Sequence, residues 1–209
     1  MQKKYISIVL DDGPLPFMCE IIDLFKEYGF KAGFAVMGER VTTDTEYMLK
    51  YAVDNGFQLV GHSHTHRKLE TLTDSEIIKE MTEPVTDIKN RIGYDMKNIA
   101  RLPCHCPDER VLKVCHKLGL VLIGYGMHCG ADWEPGATPE RIIAQTLETV
   151  CDGAFACMHV REHTYIALKT ILPELKKRGY ELVTPDEFFK IKGIANPPIG
   201  VHIHNLNNI

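Results

Sequence analysis

The sequence is 209 residues long, carries a net charge of −4, and is 44% hydrophobic and 25% charged, a balance that suits one soluble globular domain with a sizeable core. It excludes the basic stripe that a nucleic-acid surface needs, and no apolar run reaches the length of a membrane span. Seven cysteines, scattered and odd in number, fit free thiols in a reducing compartment better than a disulfide framework. The apolar run near Met1 is too short for the core of a signal peptide. Both features set the expectation of a cytoplasmic protein. Most of the cysteines read as small buried hydrophobes, Cys19, Cys115 and Cys151 above all; only Cys104-His105-Cys106 forms a cluster.

In chain order, short apolar runs over residues 5–10, 32–36, 57–60, 99–102, 120–123, 154–158 and 180–183 read as strands. Helical patterns fill most of the gaps. One covers 16–28 and stops at Gly29; the next covers 43–55 and stops at Gly56. Thr73-Asp74-Ser75-Glu76 is a capping box that opens a long helix to residue 92, which Pro84 is expected to disturb. A helix over 108–118 stops at Gly119. Thr138-Pro139 places a cap residue and then proline at the start of another helix, and the helix over 164–178 stops at Gly179. Helices that end in glycine and feed a new strand mark repeated βα units. The strands are apolar throughout, as parallel strands covered on both faces must be.

Such units build an open doubly wound sheet or a closed barrel. Asp11 and Asp12 follow the first strand, His62 follows the third, Arg101 ends the fourth, Asp132 lies in the loop after the fifth, and His159 follows the sixth. Polar groups at one end of so many strands converge if the sheet curls up, whereas an open sheet spreads them along an edge. The expected fold is therefore an α/β barrel over residues 1–192, smaller than the usual eight-unit form. Residues 193–209 hold Pro197-Pro198 and an alternating stretch from Val201 to Leu206. They read as a surface arm or an extra strand on the barrel, ahead of an arm to a neighbouring subunit or a second metal site at His202 and His204.

Asp11 and Asp12 repel each other at the end of a buried strand, where neighbours point to opposite faces. Gly13-Pro14 breaks the alternation and lets both carboxylates lean into one pocket. A divalent cation there relieves the crowding that otherwise raises one of their pKa values. On these residues alone, a capped turn with one Asp bonding nearby backbone N–H groups is an equal alternative. Gly61-His62-Ser63-His64-Thr65-His66 shifts the balance. His62 and His66 share one side of a helical turn or tight loop, and His64 points elsewhere. Two histidines and one carboxylate make a three-donor site with open positions for water and substrate. A buried Arg101 needs an anionic partner; Asp11 is the candidate if Asp12 takes the cation, and a structural salt bridge is the alternative.

In this order the segments resemble the polysaccharide deacetylase family, the NodB-homology carbohydrate esterases. The family's T-F-D-D-G-P is similar to Val9-Leu10-Asp11-Asp12-Gly13-Pro14, and its H-[ST]-x-x-H to His62-Ser63-His64-Thr65-His66. Its R-x-P-x-[GY] is similar to Arg101-Leu102-Pro103-Cys104-His105, and its D-x-x-D-W to the segment ending in Asp132-Trp133. Its apolar strand closing in histidine is similar to Ala156-Cys157-Met158-His159. The resemblance runs from Ser7 to Phe188. It implies a distorted (β/α)7 barrel and a metal-dependent hydrolase acting on a non-peptide carbon–nitrogen bond. That enzyme would remove an acetyl or other acyl group from an N-acetylated sugar or a related small N-acyl compound.

The resemblance also implies roles. Asp12, His62 and His66 bind the metal, Asp11 is the general base tuned by Arg101, and His159 is the general acid oriented by Asp132. The backbone N–H of Cys104 serves the oxyanion, and Trp133, Cys157 and Pro103 contact substrate. Zinc is the default for such a donor set, with cobalt, nickel or manganese as alternatives. The partner is a carbohydrate or small N-acyl substrate, with no nucleic acid and no membrane. Departures stand out at the rim. Cys104 and His105 replace an aromatic and a glycine, Cys157 replaces a leucine of the acetyl pocket, and Met127-His128-Cys129-Gly130 precedes the Asp-Trp pair. They put the usual polymeric substrate in question. They also keep in view a non-catalytic, metal-containing carbohydrate-binding barrel and a ureide or cyclic-imide amidohydrolase. A soft-ligand part for Cys104, Cys106 or His105 ranks below the Asp-His-His set.

Overall fold

The computed structural model describes residues 3–105 and 107–209, so Cys106 and any role for it lie outside the described residues. The apolar runs pair in parallel, as their lack of alternation requires. β1 (Lys4–Gly13), β2 (Gly33–Val36), β3 (Gln58–Gly61), β4 (Ile99–Ala100) and β5 (Val121–Ile123) lie side by side in chain order. β6 (Phe155–His159) returns to the other flank of β1. It pairs Ser7 to Asp11, while β7 (Tyr180–Leu182) pairs Lys4 to Ile6, so one long strand carries two neighbours end to end.

Among the described residues, the α-helices between the strands are α1 (Met18–Glu27), α2 (Glu46–Asp54), α3 (Asp74–Ile92), α4 (Glu109–Lys117), α5 (Pro139–Thr149), α6 (Glu162–Lys177) and α7 (Pro185–Ile191). The caps read from sequence are in place. Thr73 and Glu76 form the reciprocal box, and Thr138 accepts from the Arg141 N–H; a cap not read from sequence is Asp108, which accepts from the Val111 N–H at 2.8 Å. The turns after α2 and α6 use Gly56 at φ +76° and Gly179 at φ +79°, a region that an L side chain resists. Contrary to expectation, α3 runs through Pro84 to Ile92 without a break. A second capping box at Thr184 and Glu187 opens α7.

Along β1 the side chains alternate. Ile6, Ile8 and Leu10 pack outward in one cluster with Ile21 and Phe25 of α1 and with Leu168 and Leu172 of α6. Val9 points into the barrel, where a second cluster gathers Ala35, Val60, Ile99, Ile123 and Phe155. Phe188 and Phe189 of α7 pack on Phe155 at 5.2 and 5.7 Å between ring centres. The members of both clusters are buried, many of them completely, the condition under which each large side chain contributes roughly 1.5–3 kcal/mol.

The stretch after residue 192 is built into the wall. β8 (His202–Ile203) pairs with β5, and Ile203 joins the interior cluster. The next residues reach β6: the Phe155 N–H donates to the His204 carbonyl at 2.9 Å, and Ala154 bridges Asn205. The segment is thus a stave between β5 and β6 that closes the distorted barrel. Cys115 is fully buried, whereas Cys19 and Cys151 are half-buried.

Candidate active site

Period two carries Val9 and then Asp11 into the barrel and would carry Asp12 outward to the helices. The register between β1 and β2 instead slips between Leu10 and Gly13, and Asp12 adopts a left-handed backbone at φ +68°. This bulge, rather than the Gly-Pro turn beyond it, swings the second carboxylate to the same mouth. Aspartate tolerates that region better than most residues. Arg40 adds support by donating to the Asp12 carbonyl oxygen, and Arg161 Nη2 stands 3.6 Å from Asp12 Oδ2.

The histidine segment is a tight loop, with Ser63 and His66 at φ +60° and +57°. Ser63 Oγ accepts from the His66 N–H at 3.1 Å. Glu80 of α3, only 3% exposed, anchors the loop by accepting from the N–H groups of His64 and Thr65 at 2.9 and 2.7 Å. Its other oxygen accepts from the Thr65 hydroxyl at 2.6 Å. His62 Nδ1 lies 2.8 Å from the Arg101 carbonyl oxygen. A carbonyl only accepts, so Nδ1 carries the proton and Nε2 offers a lone pair.

That Nε2 is buried without a hydrogen-bond partner. It stands 3.7 Å from Asp12 Oδ1, and His66 Nε2 stands 3.6 Å from the same oxygen. The three donor atoms lie within 4.8 Å of one another, an arrangement that a divalent cation satisfies. Asp11, Cys157 and His159 also converge within 4.8 Å. Burial and the Asp11 charge push the Cys157 thiol well above its ordinary pKa, so it stays protonated and is a poor metal donor.

Asp11 is 1% exposed. Arg101 Nε faces its Oδ1 at 3.6 Å. Its Oδ2 meets the Cys157 thiol at 3.3 Å, His105 Nε2 at 3.8 Å and His62 Nε2 at 3.9 Å. Burial pushes the carboxyl pKa up, but the Arg101 guanidinium and then His62 outweigh it and hold the group well below the usual carboxylate range. Next to Asp11 on the neighbouring strand, His159 Nδ1 bonds Asp132 Oδ1 at 2.7 Å, and its backbone N–H donates to Oδ2 at 2.7 Å. The Thr164 hydroxyl also donates to Oδ2 at 2.7 Å. Burial pulls His159 toward neutrality, but its bond to Asp132 and that carboxylate's charge raise its pKa above the ordinary value. The carboxyl is held ionised while the imidazole's affinity for a proton is raised, the separation that acid–base chemistry needs.

These groups share a cavity of about 460 Å³. The residues singled out in the sequence all line it except Arg101 and Asp132, which lie beneath, and Pro103. Pro103 is buried and is not among the residues that line the cavity, whereas Cys104 and His105, at φ +59° and +53°, line it. Arg161 and Tyr125 line the cavity unforeseen. Arg161 had a usable signal, two residues past His159 on an extended segment; Glu80 and Arg40 had none.

A parallel barrel with a two-histidine, one-carboxylate triad at its mouth defines a protein with a cation site facing a substrate cavity. The chain belongs to the polysaccharide deacetylase family, whose profile, described as "Polysaccharide deacetylase", matches residues 1–123. It is 29% identical over 200 residues to a bifunctional xylanase/deacetylase of Pseudobutyrivibrio xylanivorans, covering 94% of this chain but only 32% of that protein. It is 27% identical over 197 residues to a peptidoglycan-N-acetylglucosamine deacetylase of Bacillus cereus, covering 91% of this chain and 90% of that one. A family 4 acetyl xylan esterase from Clostridium thermocellum, solved with a cobalt ion, superposes with a TM-score of 0.87 at 27% identity, covering 97% of this chain and 98% of that one.

Proposed function

We propose that this chain is a metal-dependent hydrolase that removes the acetyl group from an N-acetylated sugar. One observation carries the reading: a cation-binding triad abuts a separate buried carboxylate held ionised, with an imidazole of raised proton affinity beside it in the same cavity. The peptidoglycan-N-acetylglucosamine deacetylase relative supports the substrate class. The cobalt-containing neighbour supports a divalent ion, and by donor chemistry zinc is the first choice, with cobalt, nickel or manganese next.

Asp12, His62 and His66 would hold that ion, which when bound polarises the acyl carbonyl and lowers the pKa of the attacking water to roughly 7. Asp11 accepts the water's proton as the water oxygen bonds to the acyl carbon. Buried Arg101 keeps Asp11 ionised and aimed. The Cys104 backbone N–H serves the developing oxyanion. His159 donates from Nε2, the nitrogen away from Asp132, to the departing nitrogen. The C–N bond breaks with its electron pair on that nitrogen, leaving a free amine and acetate. Trp133 and Cys157 contact the sugar and the acyl group.

Acetate release tests this reading. Metal-loaded protein is expected to deacetylate N-acetylglucosamine oligosaccharides, to stop on chelation, and to recover when the ion returns. The xylan esterase neighbour makes O-acetylated xylan the second substrate to try. No acetate from either substrate, with the ion bound, would reduce the chain to a carbohydrate-binding barrel.

A further inference from the structure

We propose that Arg161 is an anion-recognition residue of the substrate site, so that the preferred substrate is an N-acyl sugar carrying a carboxylate or phosphate close to its acylated nitrogen. The proposal rests on the deacetylase reading above. Arg161 lines the cavity, and its side chain is 40% exposed. Among the described residues its ion-pair partner is Asp12, with Nη2 3.6 Å from Oδ2. That separation is an ion pair rather than a hydrogen bond. Its Nε is buried with no hydrogen-bond partner among the described residues. Arginines that serve the fold are matched more closely. Arg110 donates to Asp74 at 2.9 Å and to the Glu70 carbonyl at 3.1 Å, and Arg178 donates to Glu174 at 2.8 Å. A flat fork of N–H donors left short of acceptors beside a substrate cavity is suited to an oxyanion.

The charges of the site leave this guanidinium over. Among the described residues, Asp11 and Asp12 are the carboxylates that line the cavity, and a bound divalent cation matches both. Beneath them, buried Arg101 and buried Asp132 offset each other. Arg161 then stands as a positive charge without a counterpart, in a cavity whose walls screen it less than water does. Its place also limits where the anion sits. His62 and His66 face Asp12 Oδ1, whereas Arg161 faces Oδ2 of the same carboxylate. The fork is therefore next to the cation triad rather than out at the rim, and an anion that it holds lies beside the acyl group.

The test follows acetate release by cation-saturated protein from neutral N-acetylglucosamine, from N-acetylmuramic acid and from the anomeric phosphate of N-acetylglucosamine. The carboxylate and the phosphate of the charged pair are carried on the ring carbons that flank the nitrogen-bearing carbon, so the pair also tells which oxyanion the site takes. One charged sugar at least is expected to exceed the neutral one in kcat/KM about tenfold, and added salt should shrink that ratio. Arg161→Gln is expected to bring the ratio to about one, and Arg161→Lys to keep part of it. The ratio is taken within each variant, so a general loss of cation affinity or of folded protein divides out. Equal kcat/KM for all the sugars in the wild type, or a preference that Arg161→Gln leaves in place, overturns the proposal. Calorimetric binding of the same sugars separates the two readings. If none releases acetate, yet a charged sugar binds about tenfold more tightly than the neutral one and Arg161→Gln removes that advantage, the deacetylase reading fails and the anion site stands. If acetate is released with no preference for charge in rate or in binding, the anion site falls and the deacetylase reading stands.

Discussion

The two sides of the cavity differ in how they are made. On the side of β1, β3 and β4, the reactive groups sit at strand ends or, for His66, in the tight loop just after one, and backbone kinks aim them: the bulge at Asp12 and the left-handed turns at Ser63 and His66. Buried charges there answer one another, Asp11 with Arg101 and the His62–His66 loop with Glu80. On the side of β5 and β8, apart from the His159–Asp132 pair at the end of β6, close approach replaces charge. Glycines at 124 and 126 admit His204, and half-exposed rings form the wall. The first side fixes what reaction is possible, and the second fixes what can reach it. Electrostatics needs few residues held hard; shape selection needs a surface assembled from distant parts of the chain.

The harshest test of that division is Asp12→Ala. It removes the oxygen that both histidines face, so cation binding measured by calorimetry should be lost and turnover with it. Asp11→Asn should keep the cation and drop kcat on the order of 10²-fold or more; full activity in that variant would remove Asp11 from the role of base. Asp132→Asn sharpens the comparison through pH. His159 must be protonated to act, so rate is present below its pKa and lost as pH rises through it. Asp132 holds that pKa above its ordinary value. Without the carboxylate, burial prevails, and the alkaline limb of the kcat profile should move to lower pH. Arg161→Met frees Asp12 Oδ2 while leaving the three donors in place, and should weaken cation affinity about tenfold. The mildest change is Gly124→Ala on the other wall. Crowding His204 should cost about 1–3 kcal/mol, seen as a melting temperature lower by several degrees, with cation affinity unmoved.

The same division explains what the sequence made legible. Strand positions and helix caps follow from apolar runs and local capping chemistry, and residues 57–60 and 99–102 became β3 and β4 within a residue or two. Asp11, Asp12, His62 and His66 stood out because carboxylates and histidines next to a buried strand need a reason. The Asp12 bulge did not, since alternation predicts the opposite face and nothing local marks the register slip. Nor did anything local mark the left-handed backbone of Cys104 and His105, which line the cavity beside the buried Pro103. Tyr125 carried no signal, because its position depends on His204, 79 residues away. Pro84 was overread; α3 simply continues past it, with the proline buried.

The stave has a consequence for how the protein is made. A ribosome that has released Tyr125 must still add 79 residues before His204 can settle beside it. Until then β5 offers an unpaired edge, the kind of surface on which nascent chains snag one another. Sealing is a contact of high sequence separation and forms late. Synthesis that stalls, or a nick in the final turns, therefore yields a barrel with a gap beside its own reaction centre, a product that quality control can recognise by its open seam.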